Sequence, residues 1–353
     1  MHTYFLKNRV ISLGYKTCFY SSILITFKET FLFMKNFIKK LFVVSITLCF
    51  CFGALFSLTA CKSKNNDEKI DIVCTIFPEY DWVCEVIKDI DADINLTLLM
   101  EDGADLHNYQ PSVPDLAKIS KADLFIYVGG TSDKWVENAL KTKTNKSMKT
   151  INLLNVIGDN ALHKSHTDGS HHEEHESEEY DEHVWLSIKN AQIFVTEIAN
   201  KLGEIDPSNK DSYTDNANKY NENLASIDEQ YQTAVNDASV KTLVFGDRFP
   251  FQYMTNDYEL KFYSAFSGCS AESEASFETI TFLAGKINEL NLNAIIKIET
   301  STNDIANTIK QNTINKNQKI LTLNSMQGTT LDSNETYLSI MTSNLDVLKE
   351  ALR

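Results

Sequence analysis

The sequence predicts an α/β protein with two βα lobes, each built on a mainly parallel sheet, joined by one long helix. Short apolar runs alternate with amphipathic segments on both sides of residues 206–238, and this alternation is typical of βα units with parallel strands. Within residues 206–238, apolar residues recur every three or four positions, and neither Gly nor Pro follows Pro207. That spacing predicts one continuous helix with a narrow buried stripe, formed by Tyr213, Ala217, Tyr220, Leu224, Ile227 and Tyr231.

The N-terminal lobe is predicted to span residues 70–205. Its strands are short runs rich in Ile, Leu and Phe, bounded by turn-forming residues, and they are predicted at residues 69–78, 94–100, 123–130 and 149–154. Helical spacing of apolar residues follows the first strand, and Pro114 favours a helix that begins at Val113. Residues 184–202 return to an amphipathic helical pattern.

The C-terminal lobe is predicted to span residues 239–353 and to repeat the alternation of strands and helices. Its apolar runs predict strands at residues 241–247, 292–299 and 319–324. Segments with helical spacing predict helices at residues 275–290, 302–312 and 335–352.

The first sixty residues are predicted to lie outside the fold. Lys35, Lys39 and Lys40 precede an apolar run over residues 41–58, as in a secretory signal peptide; a transmembrane anchor is the alternative. The Leu-Thr-Ala-Cys that follows resembles a bacterial lipobox, which implies cleavage before Cys61 and lipid attachment to it. Residues 61–69 would then tether the fold to the membrane.

The start of translation is expected at Met34, because residues 1–33 have no role in this scheme. A genuine extension before Met34 is the alternative.

Charge and cysteine content limit the possible functions. The chain of 353 residues has a formal net charge of -15, which argues against nucleic acid as a partner and suits a protein that meets cations. Of the cysteines after the expected cleavage site, Cys61 would carry lipid, and Cys74, Cys84 and Cys269 remain; an odd number of cysteines does not make a disulfide framework. Buried thiols are favoured, and a Cys74–Cys84 bond stays open.

Six of the eight histidines lie between residues 163 and 183, among many Asp and Glu. Residues 163–181 have almost no apolar side chains and cannot enter a core, so they are predicted to form an inserted loop. Neutral imidazoles and carboxylates in one loop attract divalent cations; a solvated charge run is the alternative. The loop is predicted to capture metal through His163, His166, His171, His172 and His175.

Two further motifs point to one ordered metal site. His107 lies in GADLHNYQP, directly after a predicted strand, and His183 lies in DEHVWL, before a predicted helix. With the long helix, these motifs resemble the cluster A-I solute-binding proteins of metal ABC transporters, which bind zinc or manganese. The resemblance covers residues 70–352. It implies one metal ion in a cleft between the lobes, with His107 and His183 as ligands from the N-terminal lobe.

The C-terminal lobe departs from the pattern of that family. The family's third histidine lies in a segment matched here by FGDRFPFQY, residues 245–253, which contains no His. Arg248 takes its place, and a guanidinium cannot bind a cation. The neighbouring Asp247 is the predicted third ligand, because a carboxylate oxygen suits Zn²⁺; an ion pair with Arg248 is the alternative. Groups that could support the ligands or replace Asp247 are Glu274, Glu299, Cys269 and Gln327.

The resemblance implies binding and delivery of a metal, not an enzyme. Zn²⁺ is the expected ion because imidazole favours it and His-rich inserts accompany the zinc-binding members; Mn²⁺ is the alternative. The expected protein is an extracytoplasmic monomer, anchored to the cell membrane by lipid, that passes the ion to an ABC permease and meets no nucleic acid. A surface zinc metallohydrolase and a metal-binding adhesin are the other candidate functions.

Overall fold

The structure is a computed structural model that describes residue 34 and residues 69–101, 103, 105–165, 179–266, 268 and 274–353. The chain divides into two units, Met1–Asn65 and Asn66–Arg353, and the fold below is that of the second unit. Several predictions lie outside the described residues: the signal peptide, lipid attachment at Cys61, a ligand at Cys269, and metal capture by His166, His171, His172 and His175.

The N-terminal lobe has a four-stranded parallel sheet in the order β2-β1-β3-β4. Its strands are β1 (Ile70–Cys74), β2 (Ile94–Leu98), β3 (Leu124–Tyr127) and β4 (Lys149–Asn152). In the register of the sheet, Val73 of β1 pairs with Thr97 of β2 and with Phe125 of β3. The helices of this lobe are α1 (Phe77–Val86), α2 (Val113–Lys121), α3 (Val136–Lys141) and α4 (Leu153–Ile157).

The C-terminal lobe repeats this arrangement, with a parallel sheet in the order β6-β5-β7-β8. Its strands are β5 (Thr242–Phe245), β6 (Lys261–Ser264), β7 (Ala294–Ile298) and β8 (Lys319–Leu323). In both sheets the first strand lies between the second and the third, so the strand order reverses beside it. In open α/β sheets, ligands gather at the carboxyl ends of strands at such a reversal.

Two long helices, α5 (Ile188–Ile205) and α6 (Lys210–Asn236), connect the lobes. The 27 residues of α6 span about 40 Å at about 1.5 Å per residue, and its buried side chains include every residue of the predicted stripe. The helix begins at Lys210, not at residue 206, because Asp206 closes the turn that ends α5. The backbone N–H of Asp206 donates to the Leu202 carbonyl at 2.8 Å, and its carboxylate accepts from Asn209 and Tyr213.

The last helix, α10 (Tyr337–Ala351), ties the two lobes together. The backbone N–H of Tyr337 donates to Asp81 at 3.0 Å, and its phenol donates to the Trp185 carbonyl at 2.8 Å. The Tyr337 ring lies 5.1 Å from that of Trp82. One apolar cluster contains residues of both sheets, and a large apolar interface of this kind limits movement between lobes.

The remaining helices of the C-terminal lobe are α7 (Gln252–Asp257), α8 (Phe277–Leu290) and α9 (Asp304–Asn312). The sequence reading did not predict α7, β6, α3 or α4. These elements have four to six residues each, which is too short for a hydrophobic period to show. The helix predicted from residue 184 also begins later, because Ser187 accepts from the Asn190 N–H and caps α5.

Cys74 is buried, Cys84 is half-buried, and both are free thiols. The disulfide between them that the sequence left open is therefore absent. Burial raises the pKa of Cys74 well above its usual range and that of Cys84 to about 11, and thiols that stay protonated are unreactive. In the part of the chain that the structure describes, none of the helices combines the length and the apolar character needed to cross a bilayer.

Candidate metal centre

The structure brings His107 and His183 together, although 76 residues separate them. His107 lies in a short 3-10 helix, Leu106–Asn108, that follows β2, and His183 precedes a second one, Val184–Leu186, that leads into α5. Their Nε2 atoms are 3.2 Å apart. His183 is 2% exposed and His107 is partly exposed, so the pair lies where an ion could reach it from solvent.

Both histidines are held by an aspartate two residues earlier. The Asp105 carboxylate accepts from the His107 N–H at 2.9 Å, and the Asp181 carboxylate accepts from the His183 N–H at 2.8 Å. An aspartate that bonds to the backbone two residues ahead forms a local turn of its own. We call these segments, residues 105–107 and 181–183, the two Asp-x-His turns.

Asp181 also fixes which nitrogen of His183 carries the proton. Its Oδ1 atom lies 2.9 Å from His183 Nδ1, and an ionised carboxylate only accepts hydrogen bonds. The hydrogen is therefore assigned to Nδ1, and Nε2 carries the lone pair. Carboxylates behind metal-binding imidazoles commonly fix the tautomer in this way.

Ser132 and Glu182 assign the same tautomer to His107. The Ser132 hydroxyl donates to Glu182 Oε2, so its oxygen accepts from His107 Nδ1 at 2.9 Å. Burial alone would raise the pKa of Glu182, but hydrogen bonds from His107, Ser132 and Thr131 outweigh it and lower that pKa to about 2. Glu182 is therefore a buried anion next to the imidazole pair.

Gly130 makes room for this anion. The backbone there has φ = +79°, and a Cβ atom on residue 130 would lie 2.4 Å from Glu182 Oε1. The same oxygen accepts from the Ser132 N–H at 2.8 Å and from the Thr131 hydroxyl at 2.9 Å. A residue with a side chain at position 130 would therefore displace the carboxylate that supports His107.

With both protons on Nδ1, two Nε2 lone pairs face each other across 3.2 Å. Two acceptors at that distance repel each other unless a cation lies between them. For Zn–N bonds of about 2.0–2.1 Å, this separation gives an angle of roughly 100–106° at the metal, near the tetrahedral value. The pair therefore has the geometry of two ligands of one zinc ion.

Asp247, the predicted third ligand, is buried, and its carboxylate accepts three hydrogen bonds. The donors are the N–H of Arg248 at 2.8 Å, the N–H of Ile298 at 2.9 Å and the Ser301 hydroxyl at 2.8 Å. A carboxylate has about four acceptor positions, so these three donors, which are those among the described residues, leave one. Among the described residues, no three His, Cys, Asp or Glu side chains form a metal-binding group, and ligation by Asp247 stays a prediction.

The other candidates of the C-terminal lobe have different surroundings. Glu299 accepts from the Ser325 N–H at 2.7 Å, the Ser325 hydroxyl at 2.9 Å and the Gly328 N–H at 3.2 Å, so it holds the loop after β8. Gln327, in that loop, donates to the Ser325 hydroxyl at 3.3 Å. Glu274 is exposed.

The ends of the His-rich loop form a two-stranded neck, residues 162–165 and 179–181. His163 and Tyr180 pair in antiparallel fashion, and their rings stack at 4.5 Å. The Lys164 N–H donates to the Glu179 carbonyl at 2.9 Å, and the two side chains form an ion pair. His163 therefore packs in the neck; its role in metal capture stays a prediction.

The residues that support the imidazoles were not predicted from the sequence. Ser132 meets Glu182 across 50 residues, and no local pattern announces such a contact. The repeated Asp-x-His spacing was visible in the printed sequence and could have identified Asp105 and Asp181 as the residues that orient the two histidines.

Comparison with known proteins decides the family. Residues 72–351 match the family model described as ZnuA, zinc-uptake complex component A, periplasmic. The chain belongs to this family. The resemblance inferred from the two histidine motifs is therefore confirmed.

Curated relatives in this family include two zinc-binding proteins. The zinc-binding lipoprotein AdcA of Streptococcus pneumoniae is 32% identical over 316 residues, which is 88% of this chain and 61% of that protein. This chain thus spans less than two thirds of AdcA. The high-affinity zinc uptake system protein ZnuA of Bacillus subtilis is 28% identical over 321 residues, which is 88% of this chain and 97% of that protein.

Solved structures confirm the two-lobed α/β fold. The Zn(II)-bound ZnuA-like domain of Streptococcus pneumoniae AdcA superposes with a TM-score of 0.64 at 30% identity, over 81% of this chain and 99% of that one. A laminin-binding protein of Streptococcus agalactiae, described as having adhesin and metal-transporting activity, gives a TM-score of 0.65 at 25% identity, over 80% of this chain and 100% of that one.

Proposed function

We propose that this chain captures one Zn²⁺ ion outside the cytoplasm, in the cleft between its lobes, and delivers it to the permease of an ABC transporter. Zinc is the cargo of this activity. The proposal is supported by membership of the zinc-uptake family and by the zinc-binding relatives that match most of the chain.

The observation that carries this proposal is the pair of Nε2 atoms 3.2 Å apart, each left unprotonated by the partner of its Nδ1 atom. Imidazole nitrogen favours Zn²⁺ over Mn²⁺, which prefers carboxylate oxygen. The Asp105, Asp181 and Glu182 carboxylates surround the pair and favour a cation there. Asp247 is the proposed third ligand, through the acceptor position that its three hydrogen bonds leave.

Delivery to a permease requires the protein to stay at the membrane. We propose that the lipid on Cys61 provides this anchor, followed by the tether of residues 61–69, and that the mature protein is a monomer. The relative described as a lipoprotein supports the lipid anchor. The His-rich loop between the two strands of the neck would bind further zinc ions, more weakly than the paired imidazoles.

The two other candidate functions have less support. A metallohydrolase needs a general base near the metal-bound water, whereas the carboxylates at the imidazole pair are engaged in holding the histidines and their supports. Adhesion rests on the description of one structural relative as a laminin-binding adhesin. The described residues of this chain offer no feature that selects laminin.

The test is a zinc titration of the purified chain, by competition with a chelator of known affinity. We expect one tight site in the wild type, lost in His107→Ala and in His183→Ala. His163→Ala is the control: it removes the ring that stacks on Tyr180 but keeps the His163 carbonyl that accepts from Gln252, so Asp181 should keep its position and the tight site should remain. Tight binding that survives both ligand substitutions would refute the site, and steady hydrolysis of ester or peptide probes would favour the enzyme.

A further inference from the structure

Both Asp-x-His turns, although they belong to the N-terminal lobe, contact one short segment of the C-terminal lobe. Arg248 Nη1 lies 3.7 Å from Asp105 Oδ2. The Tyr253 phenol donates to the Asp181 carbonyl at 3.0 Å. We call residues 248–253 the clasp segment, because it reaches the aspartate that orients each histidine.

We propose that Tyr253 and Arg248 are positioning residues of the metal centre: they hold the two Asp-x-His turns so that the imidazoles of His107 and His183 meet at one ion. The inference rests on the proposed function, because it assumes that these histidines bind zinc. It assigns to the C-terminal lobe a task that does not depend on whether this lobe supplies a ligand.

Tyr253 makes the stronger of the two contacts. It is 3% exposed, and its phenol oxygen accepts from the Leu162 N–H at 3.0 Å while it donates to the Asp181 carbonyl. One hydroxyl thus joins both strands of the neck to the C-terminal lobe. Asp181 in turn bonds to His183 through its carboxylate, so only one residue separates Tyr253 from the ligand.

Gln252 strengthens the same connection. Its amide donates to the His163 carbonyl at 2.6 Å and accepts from the Ser165 N–H at 3.0 Å and from the Ser165 hydroxyl at 3.1 Å. The first strand of the neck is therefore fixed to the start of α7. With its backbone anchored there, the neck gives Asp181 a defined position relative to the C-terminal lobe.

Arg248 makes the weaker contact, because both side chains of its pair are partly exposed, at 31% and 27%. Its positive charge beside a cation site would by itself oppose metal binding. The pair can therefore favour zinc only through geometry, by holding Asp105, which caps the His107 turn. The two effects have opposite signs, so a substitution can separate them.

This role fits the distribution of histidine in the chain. All eight histidines occur at or before residue 183, so the clasp segment has no imidazole to offer. It acts instead on the groups behind the imidazoles, whose removal in metal sites typically weakens affinity about 10- to 100-fold.

The experiment compares Tyr253→Phe with the wild type. We expect this variant to bind zinc about tenfold more weakly and to change the visible absorption bands of bound Co²⁺, which report ligand geometry. Tyr231→Phe is the matched control, since it also removes a buried phenol that donates to a backbone carbonyl, here that of Met341 at 2.7 Å. It should keep the zinc affinity and the Co²⁺ spectrum of the wild type.

Thermal unfolding without metal, measured on both variants, separates a loss of stability from a loss of positioning. Tyr253→Phe with unchanged zinc affinity, while His107→Ala abolishes binding, would overturn the inference and leave the proposed function standing. A wild type without a tight site would instead overturn the proposed function.

Arg248→Gln tests the second contact by the sign of its effect. If Arg248 holds Asp105 in place, its replacement should weaken zinc binding about two- to fivefold, the range expected for the loss of an exposed ion pair. If the guanidinium acted only as a charge beside the cation, its removal would tighten binding, and Arg248 would be excluded as a positioning residue.

Discussion

The two lobes share a strand order and differ in what they place at the ends of their first strands. In the N-terminal lobe, Glu79 follows β1 and bonds back to its own chain, accepting from the N–H groups of Thr75 and Ile76. In the C-terminal lobe, Asp247 follows β5 and accepts from the Ile298 N–H of the neighbouring strand β7. Among the described residues, the Glu79 carboxylate thus bonds only within the connection between β1 and α1, whereas the Asp247 carboxylate links the end of β5 to β7.

The histidines show the same contrast. Both imidazoles of the candidate site come from the N-terminal lobe, where each follows an aspartate that holds its turn. The described part of the C-terminal lobe contains no histidine and contacts these turns through Arg248 and Tyr253 of the clasp segment. A repeated scaffold therefore fixes where a ligand site lies and leaves the chemistry of the site to the loops.

The largest effect is expected from Asp247→Asn, which removes the charge of the predicted third ligand and keeps an oxygen for the Ile298 N–H. Loss of a ligand should exceed the roughly 100-fold that loss of a supporting group costs. Zinc competition titration measures the change. A normal zinc affinity combined with a lower melting temperature would show that Asp247 serves the backbone alone, and Glu299→Gln would then be the next variant to test.

Glu182→Gln is expected to weaken zinc binding about 10- to 100-fold. The single amide oxygen is needed by the Ser132 N–H and the Thr131 hydroxyl, so the NH2 group faces the Ser132 hydroxyl. That hydroxyl can then donate to His107 Nδ1, and His107 loses its fixed tautomer. Isothermal titration with zinc at several pH values should also show that zinc affinity depends on pH differently from the wild type, because the proton of His107 is no longer fixed on Nδ1. An unchanged affinity would mean that Ser132 alone orients the ring. Glu204→Gln, an exposed acid that pairs with Lys149, is the control.

Replacement of residues 166–178 by a short Gly-Ser turn should leave the tight site within about threefold of the wild type, because the neck and its bonds to Gln252 and Tyr253 are kept. The weak zinc sites should disappear from the titration. Loss of the tight site instead would show that the loop supplies a ligand to it.

The smallest effect on zinc is expected from Glu79→Gln, which should instead change how stability depends on pH. Burial, reinforced by Asp133, raises the pKa of Glu79 to about 8. Since the folded state then holds a proton that the unfolded state has released, stability falls as pH rises from the unfolded pKa, about 4.3, through about 8. Glutamine resembles the protonated acid and removes this loss.

The measurement is the melting temperature at pH 6.5 and pH 9 in the absence of metal. The wild type should lose more stability across this interval than Glu79→Gln. Asp133 and Asp81, whose pKa values burial raises to about 6, titrate mostly below the interval and contribute little to the difference. An equal loss of melting temperature between pH 6.5 and pH 9 in both proteins would show that Glu79 is not protonated in the folded state.

Much of the fold was predictable because its signals are local. The apolar stripe of α6 repeats every three to four residues, and β1 and β7 are short runs of mostly buried, apolar residues. In β2, Ile94, Leu96 and Leu98 alternate with polar residues, and only Leu98 is buried. The β6 strand was not predicted because it has four residues, of which Lys261 is exposed and only Ser264 is buried. Its place in the sheet depends on pairing with β5, which a local reading does not contain.

The candidate site divides in the same way. His107 and His183 were predictable because each lies in a short motif. Ser132 and Tyr253 act through contacts across 50 to 91 residues, and neither has a distinctive sequence around it. In the sequence, Arg248 drew attention only because it stands where the family has a histidine. Its contact with Asp105 could not be predicted, because the distance between them depends on how the two lobes meet.

The two-stranded neck has a consequence for engineering. Its hydrogen bonds and the stacked rings of His163 and Tyr180 fix both ends of the loop at one place on the body, so the closure entropy changes slowly with the number of residues between them, by about 0.6 kcal/mol for each doubling. A reporter peptide or a foreign metal-binding sequence inserted between Ser165 and Glu179 should therefore leave the fold of both lobes unchanged. This position is suited to building a zinc sensor on the chain.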